Sequence, residues 1–136
     1  MNTHGLLIVD DDVTTRRQMA ELFSDAGYQV SAPSSVAEAL VGILKKTAKV
    51  VLLSTRFDAL LATELIPLLK KCNRDLTIIL VASELPLALL RKARHEGIFY
   101  HALKPVQPGD EEELREAVRC AFDKAKQHEN NDGPTA

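Results

Sequence analysis

Three short clusters hold the side chains most able to do chemistry: Asp10-Asp11-Asp12, Ser54-Thr55-Arg56 and Leu103-Lys104-Pro105. Three adjacent acids cannot all be neutralised by local sequence. They are solvated, used as a helix cap, or paired with a cation. An ionised carboxylate can also act as a nucleophile or general base. The Ser54 hydroxyl is not ionised at neutral pH and needs a general base, for which Asp10 or Asp11 could serve. Simpler roles suit the same residues. Asp12 can cap the helix that follows, with Asp10 and Asp11 merely exposed, and Ser54 can bind backbone groups at a strand end.

The elements that must position these clusters are legible. Leu6–Val9, Val50–Leu53 and Thr77–Val81 are almost wholly apolar, as strands buried on both faces of a parallel sheet are. Tyr28–Ala32 alternates and Ile98–Ala102 is mixed, which suits sheet edges. Helical periods separate them: Met19, Leu22, Phe23 and Ala26; Val36, Ala39, Leu40, Ile43 and Leu44; Leu61, Leu65, Leu68, Leu69 and Cys72; Leu114, Ala117, Val118 and Ala121. Ser35 with Glu38 predicts a capping box, Gly27 and Gly97 predict helix ends, and Pro86 suits the first turn of the fourth helix. The pattern predicts an α/β fold, a doubly wound parallel sheet of five strands in the order 2-1-3-4-5, flavodoxin-like in plan. In such sheets ligands bind outside the carboxyl ends of the strands where the order reverses. Here that point lies between the strands ending at Asp10 and at Ser54.

Composition narrows the function. With 136 residues and 46% of them apolar, one globular domain over 1–127 is expected, followed by a flexible polar tail over 128–136. A net charge of -2 gives no electrostatic reason to expect nucleic acid, and no apolar run is long enough to span a bilayer. Met1–Gly5 lacks a signal-peptide pattern, so a cytoplasmic location is expected. Cys72 and Cys120 read as ordinary packing or surface residues.

From about Leu6 to Phe122 the sequence resembles the receiver domain of bacterial response regulators. Leu-Leu-Ile-Val-Asp10-Asp11-Asp12, the Gly97 to Lys104-Pro105 segment and the order of elements carry the resemblance. It implies that Asp10 and Asp11 match the acid pair that helps hold Mg2+, and that Lys104 matches the lysine that pairs with the phosphoryl group. It also admits a cis bond before Pro105. Ser54 falls where the family has the aspartate that accepts phosphate from a histidine kinase. Ala82 falls on the Ser or Thr that follows the phosphoryl group, with Ser83 one residue late, and His101 falls on the aromatic that changes rotamer. Asp58 and Ala62 replace a usual Pro and Gly.

Three altered positions in one coupled switch imply an atypical receiver, a pseudo-receiver in two-component phosphorelay signalling. It is expected to act by protein interaction, not catalysis, and without aspartyl phosphorylation. No cofactor is expected to be required, although weak Mg2+ binding at Asp10 and Asp11 is admitted. Arg56 could fold back over Asp10 and Asp11 and, with Lys104, replace the cation as a fixed counter-charge. The expected partners are a histidine kinase, another response regulator or an output protein. A homodimer through the fourth helix, fifth strand and fifth helix is a further option, with Leu87, Leu90 and Phe122 as candidates for that face. The simpler reading of Leu85–Leu90 is a helix start that buries most of its leucines. Two rivals are carried. Asp10-x-Asp12-x-Thr14 resembles the first motif of haloacid-dehalogenase-type Mg-dependent phosphatases, which would make Asp10 a nucleophile and Asp12 a general acid. Alternatively the chain is a regulator phosphorylated at another acid, Asp58 or Asp10.

Overall fold

The computed structural model of the chain describes residues 4–131. Its main sheet holds β1 (Gly5–Val9), β2 (Gln29–Ser31), β3 (Val50–Leu53), β6 (Thr77–Val81) and β7 (Tyr100–Ala102). All are parallel, in the order β2-β1-β3-β6-β7, which is the expected doubly wound arrangement. The apolar strands β1, β3 and β6 are central and fully buried. Period-two alternation splits their side chains between two cores. Leu7, Val9, Val51, Leu53, Ile78 and Leu80 face α2 (Val36–Leu44) and α3 (Ala62–Cys72). Leu6, Ile8, Val50, Leu52, Ile79 and Val81 face α1 (Val13–Asp25) and α5 (Pro108–Asn131). Residues such as Phe23 and Ile43 are completely buried, each worth about 1.5–3 kcal/mol over exposure.

Register places the site. Val9 pairs with Leu53 and Leu53 with Leu80, so the central strands end level with one another. The next residue of each chain segment then emerges at a common edge. The Ser54 N–H bonds the Val9 carbonyl at 3.0 Å, which holds Ser54 beside Asp10. At the opposite end, Gly5 lies so close to the neighbouring loop that a Cβ would sit 1.7 Å from the Thr47 carbonyl oxygen.

Helix ends follow the local chemistry. Ser35 caps α2 by accepting from the Glu38 N–H at 3.2 Å. The return bond of the expected box is displaced by one residue, because the Glu38 carboxylate accepts from the Ser34 N–H and hydroxyl. Gly97 closes α4 (Leu87–Glu96) with φ +112, a conformation that a side chain disfavours.

Several expectations need correction. The edge strands are shorter than the sequence suggested, since the Tyr28 N–H bonds the Phe23 carbonyl and so belongs to the end of α1. A small antiparallel hairpin, β4 (Arg56–Phe57) and β5 (Leu60–Leu61), follows β3 and was not expected. Leu87 and Leu89 of α4 are exposed, and Ala93 is the buried residue of that helix. Most of the leucines in this stretch are therefore not buried. Phe122 stacks on Tyr28 in the core beneath α1, away from α4, so it does not belong to the suggested partner face. The peptide bond before Pro105 is trans. α5 runs to Asn131, past the point where a tail was expected, and residues 132–136 lie outside the described residues.

Candidate functional site

Asp10 leaves β1 into the edge where the strand order reverses, and only 2% of it is exposed. Its Oδ1 accepts from the Asp12 N–H at 2.9 Å. Its Oδ2 is buried without a hydrogen-bond partner among the described residues. Burial pushes the Asp10 carboxyl above its ordinary value, while the Asp12 amide and the Lys104 charge pull it back. Ser54 is also buried. Its hydroxyl stands near both the Asp10 carboxylate and the Arg56 carbonyl. It has one proton to give, and the 2.7 Å approach to the Arg56 carbonyl claims it.

Asp11 is exposed, and both of its oxygens accept from the Asp58 N–H at 3.1 Å. Asp58 sits in the two-residue turn between β4 and β5, where Asp58 and Ala59 both have positive φ. A turn of this hand matches the twist of the hairpin it joins. Asp58 Oδ2 in turn accepts from the Val36 N–H at the start of α2. Asp12 is the N-cap of α1, accepting from the Thr14 N–H and the Thr15 hydroxyl. The Thr15 hydroxyl bond holds its carboxyl below the ordinary value.

The candidate counter-charges separate. Lys104 is half-buried, and its charge reaches Asp10 without an ion pair within 4.0 Å among the described residues. The Arg56 side chain is exposed and makes no ion pair with Asp10 or Asp11 among the described residues, so the expected fold-back is not seen. Arg56 enters the site through its backbone carbonyl instead.

Ala82 and His101 are bonded to each other. Ala82 is buried, its N–H donates to the Ala102 carbonyl, and its own carbonyl lies 3.2 Å from His101 Nε2. A carbonyl can only accept, so Nε2 of His101 is the donor in this bond. Ser83 is exposed. Alongside, an apolar cleft of about 190 Å³ opens between the start of α3 and α4, lined by Leu61, Ala62, Leu80, Leu85 and Leu89.

Sequence reasoning missed the second task of Asp58, as a tie between the hairpin and α2. The available signal was weak: Asp tolerates positive φ better than most residues, but Ala59 beside it does not. The His101–Ala82 bond had no sequence signal, because it needs the register between β6 and β7.

The donor set fits a weakly held Mg2+ at most, with water filling most of its positions. Such a cation wants octahedral oxygen donors. Asp10 Oδ2 is open, the Asp11 oxygens receive an N–H, and the Arg56 carbonyl receives a hydroxyl. Ser54 adds a hydroxyl there and no third carboxylate. General acid chemistry at Asp12 fares no better, since an acid of lowered pKa holds its proton poorly at neutral pH. No helix among the described residues is long and apolar enough to cross a membrane.

Comparison with known proteins bears on this site. Residues 6–119 match the family described as the response regulator receiver domain. Over 119 residues the chain is 26% identical to sporulation initiation phosphotransferase F of Bacillus subtilis, covering 88% of this chain and 94% of that protein. The signal receiver domain of an HD domain-containing protein from Pseudomonas fluorescens superposes with a TM-score of 0.85 at 21% identity, over 96% of this chain and 94% of that one. A CheY-like response regulator receiver domain protein from Methanospirillum hungatei superposes with a TM-score of 0.78 at 22% identity, over 93% and 99% respectively. At these identities the structural likeness establishes the fold.

Proposed function

The chain belongs to the response regulator receiver family of two-component systems, and from that premise we propose that it signals by protein interaction, independently of aspartyl phosphorylation. The observation that carries this reading is Ser54. It occupies the acceptor position, is buried, and commits its hydroxyl proton to the Arg56 carbonyl. A hydroxyl so held turns its proton away from Asp10, the neighbouring group able to act as general base. The bond between His101 and the Ala82 carbonyl supports the same reading, because the pair holds itself without a phosphoryl group.

Interaction then depends on surface. Leu87 is 57% exposed on α4, Tyr100 and Leu103 are exposed on and after β7, and the apolar cleft lies on the other flank of α4. Apolar exposure of this kind suits contact with a histidine kinase, another regulator or an output protein, or a second copy through α4, β7 and α5. Asp10, Asp11 and Lys104 remain as a charged pocket beside that surface, with no catalytic role. The test is the intact mass of the protein after incubation with acetyl phosphate and Mg2+. An unchanged mass supports the proposal, and a hydroxylamine-labile adduct of one phosphoryl group overturns it.

A further inference from the structure

The geometry points to a role for Asp11 other than ligating a cation: Asp11 clamps the β4–β5 hairpin, and through Asp58 the start of α2, without metal. Asp58 and Ala59 both sit at positive φ, +50 and +64, which side chains other than glycine adopt at a cost. Something must hold that turn. The Asp11 carboxylate meets the Asp58 N–H with both oxygens at 3.1 Å, a charge-assisted bond between residues 47 apart in sequence. The Asp58 carboxylate then accepts from the Val36 N–H at 3.0 Å, 22 residues back. Two carboxylates in relay therefore tie the loop after β1, the hairpin after β3 and the first turn of α2. A cation reaching Asp11 would compete with the Asp58 N–H for the charge of this carboxylate, whereas the bond to Asp58 needs no cation. Asp11 is thus a positioning residue for the rim of the pocket.

Amide hydrogen exchange followed by NMR on the full chain tests this, with EDTA and then with millimolar Mg2+. The clamp predicts that the Asp58 and Val36 amides are protected in EDTA and unmoved by Mg2+. Asp11→Ala speeds exchange at both by at least about tenfold. Asp58→Ala speeds Val36 alone. Asp11→Asn keeps one acceptor oxygen and lies between wild type and Asp11→Ala. Should Asp11→Ala fail to fold, the Asn and Asp58→Ala variants decide. Unprotected Asp58 in EDTA, or exchange at Asp58 that Asp11→Asn leaves unchanged, overturns the clamp. So does saturable Mg2+ binding that shifts the Asp10 and Asp11 amides. A phosphoryl adduct would remove the functional proposal and leave these exchange results as they are.

Discussion

Replacing Asp10 by Asn removes a charge that burial opposes. The carboxyl is almost fully buried, one oxygen has no partner, and its pKa is raised above the ordinary 3.8, chiefly by burial. The folded chain therefore holds this proton more tightly than the unfolded chain. Between 3.8 and the raised value the native state binds more protons, so this group's contribution falls as pH rises through that window. Above that window the carboxyl is charged in both states and the penalty is fully present. An unsatisfied buried polar atom costs about 1–3 kcal/mol. The lost attraction to half-buried Lys104 returns about 0.2–1 kcal/mol of that. Asn keeps the acceptor for the Asp12 N–H, and its amide can donate to the Ser54 hydroxyl oxygen beside it. Asp10→Asn should therefore stabilise the fold by about 1–2 kcal/mol at neutral pH, or roughly 3–6 °C in Tm. Urea titration in EDTA measures it, with the slope m unchanged. The gain should shrink as pH is lowered toward 3.8. A variant less stable than wild type at neutral pH, or a gain independent of pH, refutes the reasoning.

Other substitutions probe the same structure. Thr77→Val removes a buried hydroxyl that has no hydrogen-bond partner among the described residues, and urea titration should show a gain of about 1 kcal/mol. Ala59→Gly relieves a positive φ worth about 1–2 kcal/mol while adding about 0.4–1 kcal/mol of unfolded-state entropy, so a net rise of about 0.5–1 kcal/mol is expected by thermal melting. Ser35→Ala deletes the α2 cap and should cost about 1 kcal/mol by the same measurement. Wild-type protein should give no Mg2+-dependent turnover of p-nitrophenyl phosphate; turnover lost on Asp10→Asn would favour the phosphatase reading.

The sheet was legible because its central strands are apolar on both faces, which in a parallel sheet is a direct consequence of burial. Asp10, Ser54 and Ala82 could be placed along the chain for the same reason, since each directly follows a strand whose end an apolar run marks. The partners of these residues were less legible. Arg56 carries a side chain that suggested an ion pair, yet its carbonyl makes the contact, and no residue type announces a carbonyl. The hairpin escaped because Ala59 adopts a conformation that its own chemistry disfavours and tertiary bonds impose. The α4 leucines escaped because periodicity reports a stripe without saying whether the protein itself covers it.

The central claim is that the acceptor position no longer takes a phosphoryl group. Intact-mass measurement after acetyl phosphate and Mg2+, run beside a receiver that retains the aspartate, tests it most directly. The control should gain one phosphoryl group while this chain keeps its mass. A hydroxylamine-labile adduct on this chain, whether at Asp10, Asp58 or elsewhere, would contradict it.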